Sequence, residues 1–80
     1  MARYFFNFRS GGRSSIDEDG EDLSDMGAAH RVAMGALCDA MRDIAIEGGS
    51  NQEFAVEVCD ELGPVLRVSA VLESKLFRKQ

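Results

Sequence analysis

Three stretches of the chain alternate, with a period of two, between apolar and more polar positions. Such alternation predicts half-buried β-strands, and we place strands at residues 3–9, 53–60 and 65–73. The positions predicted to face the core are Tyr4, Phe6, Phe8, Phe54, Val56, Val58, Leu66, Val68, Ala70 and Leu72. A shorter strand is predicted at residues 14–17, after a turn that contains Gly11 and Gly12, with Ile16 as its only large apolar residue.

The segment between the two pairs of strands, residues 25–47, repeats with the period of an α-helix. At about 100° per residue, its apolar residues gather into one stripe. The stripe contains Met26, Ala29, Ala33, Ala36, Leu37, Ala40 and Ile44, whereas Arg31, Cys38, Asp39 and Arg42 fall on the far side. Since the stripe is mostly alanine, we expect the helix to lie close against a flat surface. Ser24 or Asp25 can cap its start, and Gly48 with Gly49 can end it.

The element order ββαββ predicts an α+β fold, in which a four-stranded antiparallel sheet carries one helix on one face. Strand order 2-1-3-4 keeps every neighbouring pair antiparallel and places the weak second strand at an edge, where a short strand does least harm. Eighty residues suffice for one hydrophobic core. We therefore assign residues 1–73 to a single domain and residues 74–80 to a basic C-terminal tail.

The net charge of −5 arises from one acidic segment rather than from the whole surface. Its acids are Asp17, Glu18, Asp19, Glu21 and Asp22, and they surround Gly20, which we predict to have a positive φ. A calcium-binding EF-hand loop with Gly20 as its sixth residue would need glutamate as its twelfth, where this chain has Met26. We interpret the segment as a solvated turn before the helix and predict no metal site.

The sequence also predicts a cellular compartment. No apolar run approaches the roughly 20 residues that span a bilayer, and the first residues lack the features of a secretory signal. We therefore predict a cytoplasmic protein without a membrane segment. Cys38 and Cys59 are expected on outward faces of different elements, so that we predict two free thiols in a reducing compartment.

Several motifs carry a family resemblance. They are Arg3-Tyr4-Phe5-Phe6, the acidic segment with Leu23, Ala28-Ala29-His30-Arg31, Phe54-Ala55-Val56-Glu57-Val58 and Gly63-Pro64-Val65-Leu66-Arg67-Val68. Together they resemble a family of short bacterial proteins, frequent in rhizobia-like bacteria, that is known only as a domain of unknown function. The resemblance covers nearly the whole chain and implies a shared fold, without catalytic residues to transfer. Gly27 departs from the family pattern after the cap. The first half is also similar to antitoxins of the HicB type.

No arrangement of residues typical of an enzyme occurs in the sequence. His30 is the only histidine, and Cys38 lies two helical turns away, too far for a paired nucleophile and base. Neither cysteine belongs to a zinc-binding cluster, and there is no phosphate-binding glycine loop or hydrolase motif. We interpret His30 as a residue bordering the buried stripe, and we predict a non-enzymatic protein without a cofactor.

The uncovered face of the sheet is the predicted site, with an aromatic residue in the middle of its central strand. The predicted interaction residues are Arg3, Phe5, Asn7, Arg9, Arg67 and Val71. Because one helix leaves a whole face and two edges of the sheet uncovered, we favour a protein partner. A second copy of the chain is favoured above all, in a homodimer formed through the open sheet face or an edge strand. The alternative is an antitoxin-like regulatory module that binds a protein partner or RNA. Arginines around an aromatic favour base stacking, whereas Glu57 on the same face opposes a phosphate.

Overall fold

The computed structural model describes residues 2–78, which form five strands and one helix. In chain order these are β1 (Ala2–Ser10), β2 (Arg13–Ser15), β3 (Glu21–Leu23), α1 (Met26–Ile46), β4 (Gln52–Asp60) and β5 (Gly63–Leu72). The antiparallel sheet has the order β2-β1-β4-β5, and β3 pairs with β1 in addition. The helix packs mainly on β4 and β5. The predicted α+β class, with one helix on an antiparallel sheet, is confirmed.

The predicted count of four strands is wrong, because the end of the acidic segment forms a fifth strand. β2 pairs only with the last three residues of β1, with Phe8 opposite Ser15. The backbone groups at the start of β1 would remain unpaired along this edge, and buried or half-buried backbone groups need partners. β3 supplies them by running antiparallel to β1, with Tyr4 opposite Glu21. Because β3 has only three residues and little apolar alternation, the pattern of the sequence did not reveal it.

The hydrophobic core lies between α1 and one face of the sheet. Phe54, Val56 and Val58 of β4 are at most 1% exposed, and Ala29 and Ala33 of the helix are completely buried. Tyr4, Leu37 and Val68 complete the buried set, and Phe6, Phe8, Ala40, Ile44, Leu66, Ala70 and Leu72 are half-buried residues packed against it. The small alanine side chains let the helix backbone lie close to the buried side chains of β4. This close packing is what the alanine stripe predicted.

Some predicted core positions are wrong. Ile16 lies beyond the end of β2 and is 74% exposed, since the predicted strand at residues 14–17 ends at Ser15. Met26 and Ala36, placed in the buried stripe from the helical period, are exposed, while Met41 packs against the core. The buried stripe therefore lies slightly to one side of the predicted one, because the helix packs mainly on β4 and β5 rather than over the whole sheet.

A β-bulge places the side chain of Val65 on the side of the sheet that packs against the core. The register between β4 and β5 shifts between Val58 and Cys59, so that Val58 lies opposite Leu66 but Cys59 lies opposite Pro64. Val65, which is not among the positions predicted to face the core, is therefore half-buried and packs against the core. The extra residue in a bulge interrupts the alternation of faces along a strand, which a strict period of two cannot anticipate.

Both predicted helix ends are confirmed. Asp25 is the N-cap, and its Oδ1 accepts a hydrogen bond of 2.8 Å from the backbone N–H of Ala28. At the other end, Gly48 has φ +86°, and its N–H donates to the carbonyl of Ala45 while the N–H of Gly49 donates to that of Ile44. This pair of hydrogen bonds is the Schellman motif, which needs a residue with positive φ at the position of Gly48.

The last described residues extend beyond the sheet without regular structure. Leu76 and Phe77 are more than 80% exposed, and the Lys75 ammonium lies 5.7 Å from the centre of the Phe77 ring. The remaining positions of the predicted tail, 79 and 80, lie outside the described residues. Among residues 2–78, the helix is too polar to cross a membrane.

Candidate interaction surface

The face of the sheet opposite α1, here called the open face, is built from residues that lie side by side across three strands. One row runs from Asn7 through Glu57 to Arg67, and the next runs from Arg9 through Ala55 to Ser69. Phe5 lies opposite Cys59, and Glu53 opposite Val71. The predicted face assignment is therefore correct for β1, β4 and most of β5. Its chemistry depends on which of these side chains contact other parts of the chain.

Two of the predicted interaction residues contact the acidic segment instead of standing free. The Phe5 ring and the aliphatic stem of Arg3 lie against Gly20, which leaves Phe5 only half exposed. The guanidinium of Arg3 donates to the backbone carbonyl of Asp19 and forms an ion pair with Asp22, with 3.2 Å between Nε and Oδ1. The centre of the open face is consequently not an exposed aromatic surrounded by arginines.

The side chain of Asp17 organises the same segment. Its Oδ2 accepts a hydrogen bond of 3.1 Å from the N–H of Phe6, and its Oδ1 accepts bonds of 3.1 Å from Asp19 and 3.0 Å from Gly20. In return, Asn7 Oδ1 accepts a 3.1 Å bond from the N–H of Asp17. These bonds occupy the gap between β2 and β3 and take the place of ladder hydrogen bonds along this edge of β1.

The bonding of Asp17 limits the interpretation of the acidic segment as a solvated turn, because Asp17 is half-buried while the other four acids are exposed. Three backbone N–H donors stabilise the ionised carboxylate, and they hold the pKa of Asp17 below its ordinary value of 3.8, with the bond from Gly20 as the largest cause. The sequence did contain a signal, because aspartate commonly accepts bonds from N–H groups two and three residues further on. No pattern in the sequence indicated the hydrogen bond that the N–H of Phe6 donates to Asp17.

This hydrogen bonding predicts an acid-dependent loss of stability. The pKa of Asp17 is lower in the folded state, so its contribution is complete above about pH 4 and is lost as the pH falls through the folded pKa. At pH 7 we expect Asp17→Asn to lower the free energy of unfolding by roughly 1–2 kcal/mol. Urea unfolding at a series of pH values checks this prediction, and the gap between wild type and variant should narrow below pH 4. Glu18→Gln, the same change next to Asp17, serves as the control, and an equal gap at all pH values would contradict the prediction.

The other predicted residues, Arg9, Arg67 and Val71, remain accessible on the open face. The two arginines line two hollows of about 210 Å³ and 380 Å³, and Val71 lines the larger of these two. Within residues 2–78, neither arginine forms an ion pair, although Glu57 lies directly opposite Arg67 in the register. These three residues thus stand at the surface without contacting the acidic segment. Arg3, which is also exposed, holds that segment in place together with half-buried Phe5 and Asn7.

The two cysteines are both free, as predicted. Cys38 is exposed on the helix, and Cys59 is half-buried on the open face, where Asn7 Nδ2 lies 3.8 Å from its Sγ. Burial, followed by the negative charge of Glu57, raises the pKa of the Cys59 thiol. His30 is exposed. Among the described residues, no three or more His, Cys, Asp or Glu side chains gather in a way that could hold a metal ion.

The outer edge of β5, here called the open edge, has backbone groups that no other described strand pairs. Backbone hydrogen bonds along an antiparallel strand point alternately to its two sides. The carbonyl of Glu53 accepts from Gly11, on the side of β1, so that Phe54 directs its groups to β5, where it lies opposite Ala70. Ala70 therefore faces β4, and the residues beside it face outward. The outward-directed positions are Arg67, Ser69 and Val71.

The two edges of the sheet differ in how they are protected. On the side of β1, the edge is divided into two strands of three residues each, β2 and β3, separated by the Asp17 hydrogen bonds. On the other side, β5 has ten residues, and its single proline, Pro64, lies at the start, next to the bulge. Short strands, bulges and prolines discourage pairing with another chain, and the part of β5 after the bulge has none of these features.

Comparison with known proteins places the chain in a family. No curated protein and no solved structure shows significant similarity to it. A family profile described as "Domain of unknown function (DUF6894)" matches residues 3–71, which include all five strands and the helix except the first residue of β1 and the last of β5. The chain therefore belongs to the DUF6894 family, a domain of unknown function.

Proposed function

We propose that the chain is a small non-enzymatic interaction module that self-associates through the open edge. The observation that carries this proposal is the length of β5 after its bulge, combined with outward-directed backbone groups at Arg67, Ser69 and Val71. Such an edge is a template for a further strand, and β-strand addition is a recurrent mode of protein recognition. The opposite edge, which is short and interrupted, offers no comparable template.

A second copy of the chain is the partner that this edge fits most directly. Two identical strands pair antiparallel about a two-fold axis, so each copy supplies the donors and acceptors that the other needs. The open face contributes less to such a contact, because charged Arg9, Glu57 and Arg67 dominate it. Its large exposed apolar residues, Val71 and Ile16, lie near opposite edges of the sheet. Between the predicted alternatives of face and edge, the edge is therefore the better candidate.

The contact is expected to be weak. One added strand pair buries less surface than the roughly 1,200–2,000 Å² of stable complexes. We expect dissociation constants on the order of tens to hundreds of micromolar. Sedimentation velocity between about 10 μM and 1 mM should show a mass that rises from monomer to dimer.

A proline substitution tests whether the open edge makes the contact. The N–H of Ser69 points away from β4, so Ser69→Pro removes an outward donor and leaves the hydrogen bonds with β4 in place. We expect this variant to remain folded by circular dichroism and monomeric at 1 mM. Ser69→Thr keeps the N–H at the same exposed position and should associate like the wild type. Val71→Lys, which adds a charge at the edge, provides a second test should proline disturb the fold.

Two results would overturn the proposal. The first is a wild-type chain that stays strictly monomeric at 1 mM, and the second is association that Ser69→Pro and Val71→Lys leave unchanged. A second candidate function, the antitoxin-like regulatory module, is favoured by Arg9 and Arg67, which line the same hollows without an ion pair among the described residues. Binding of single-stranded RNA that weakens steeply with salt and is lost in Arg67→Ala would support it.

A further inference from the structure

Resting on the proposed function, we infer that two copies pair β5 with β5 in a register centred on Ala70, which places Arg67 opposite the partner's Glu73. Glu73 follows the last residue of β5, so the strand needs to extend by one residue to make this pair. The register would give a ten-stranded sheet in which both helices lie on the same side, because the two-fold axis of an antiparallel pair is perpendicular to the sheet.

The direction of the backbone groups restricts the possible registers. Hydrogen-bonded pairs across the new interface can form only between outward-directed residues, which are Arg67, Ser69 and Val71 and, on extension, Glu73. A register is specified by the residue that lies on the two-fold axis, here called its centre. Each of the five residues from 67 to 71 can be a centre that satisfies this condition. A centre at Arg67 places the two copies of this arginine opposite each other, and a centre at Val71 places it opposite Lys75. Like charges in directly opposite positions are unfavourable.

Charge complementarity decides among the remaining three centres. A centre at Val68 or Ser69 puts Arg67 opposite an uncharged residue, whereas a centre at Ala70 puts it opposite Glu73. Because the dimer has two-fold symmetry, this ion pair forms twice. Arg67 forms no ion pair within residues 2–78, so its guanidinium is available to a partner.

The helix-facing side of β5 also suits a centre at Ala70. In that register the two copies of Ala70 meet at the axis, and Val68 lies opposite the partner's Leu72. Ala70 and Leu72 are half-buried and already pack against the core, so pairing would extend the apolar layer across the interface. A small residue at the axis lets the two strands approach without a steric conflict.

Charge reversal tests the register. We expect Arg67→Glu and Glu73→Arg each to weaken dimerisation roughly ten- to thirtyfold, because each replaces two attractive pairs by two repulsive ones. The double variant restores opposite charges and should recover most of the wild-type affinity. Arg13→Glu makes the same reversal at an exposed position of β2, across the sheet from β5, and should leave the affinity unchanged. Sedimentation velocity on the full chain measures all four.

Cysteine cross-linking gives a second, independent measurement. In a background of Cys38→Ser and Cys59→Ser, Ala70→Cys brings two thiols together at a non-hydrogen-bonded pair, where Cα atoms lie about 4.5 Å apart. We expect it to form an intermolecular disulfide faster than Leu72→Cys, whose two copies are displaced from each other along the strands. Faster cross-linking of Ser69→Cys or Val68→Cys would instead identify a register centred on that residue.

Failure of the register and failure of the proposed function give different results. A dimer that Ser69→Pro abolishes, but that charge reversal at Arg67 and Glu73 leaves unchanged, would overturn the register and leave edge-mediated association intact. A double variant no tighter than either single variant would also overturn it. A wild-type chain without any dimer would overturn the proposed function itself.

Discussion

Replacing Phe54 with alanine is expected to lower the free energy of unfolding by about 3–5 kcal/mol, the largest effect of any single truncation in this chain. Phe54 is 1% exposed and is the largest of the fully buried side chains. It lies in β4, between β1 and β5 and beneath α1. Its removal leaves a cavity that the sheet cannot close, because three elements fix the surrounding backbone.

Urea unfolding followed by circular dichroism measures this loss. A domain of 80 residues has a total stability of roughly 4–12 kcal/mol, so Phe54→Ala brings the folded state close to its limit. Phe54→Leu removes less volume and keeps the effect measurable if the alanine variant does not fold. The same change in the exposed tail, Phe77→Ala, is the matched control and should alter the stability by less than about 0.5 kcal/mol. Equal effects at the two phenylalanines would contradict the described core.

Replacing Gly20 with alanine is expected to lower the free energy of unfolding by about 2–4 kcal/mol. Gly20 has φ +75°, a backbone conformation that is energetically unfavourable for residues with a Cβ. A Cβ at this position would also lie 2.9 Å from Arg3 Cγ and from Phe5 Cε1. Those atoms belong to the side chains that the segment holds against the sheet, so relieving the overlap would displace Phe5 or open the Asp17 hydrogen bonds.

The same glycine-to-alanine change has the opposite expected sign in the helix. Gly35 is exposed in α1, and a Cβ there meets no atom within 4 Å. Gly35→Ala should therefore raise the stability by about 0.5–1 kcal/mol, through the greater helix propensity of alanine. Thermal and urea unfolding of the two variants and the wild type test both signs together. A neutral result for Gly20→Ala would show that the segment tolerates the displacement of Phe5.

Sequence alone determined the parts of this protein that depend on nearby residues. The period of two located β1, β4 and β5, because their side chains alternate between a buried and an open face. The helical period, Asp25 and the glycine pair located α1 to within one residue at each end. The positive φ of Gly20 followed from its place in a turn. Each of these features depends on contacts within a few positions along the chain.

Which side chains remain available to a partner depends on contacts between segments that are far apart in the sequence. Asp17 bonds to Phe6, which is 11 residues away, and Arg3 pairs with Asp22, which is 19 residues away. No local pattern encodes such contacts, so the sequence did not indicate that Arg3, Phe5 and Asn7 also hold the acidic segment. The strand β3 and the bulge at Val58 arose in the same way, because the need to pair backbone groups and fill the core is settled only when distant segments come together.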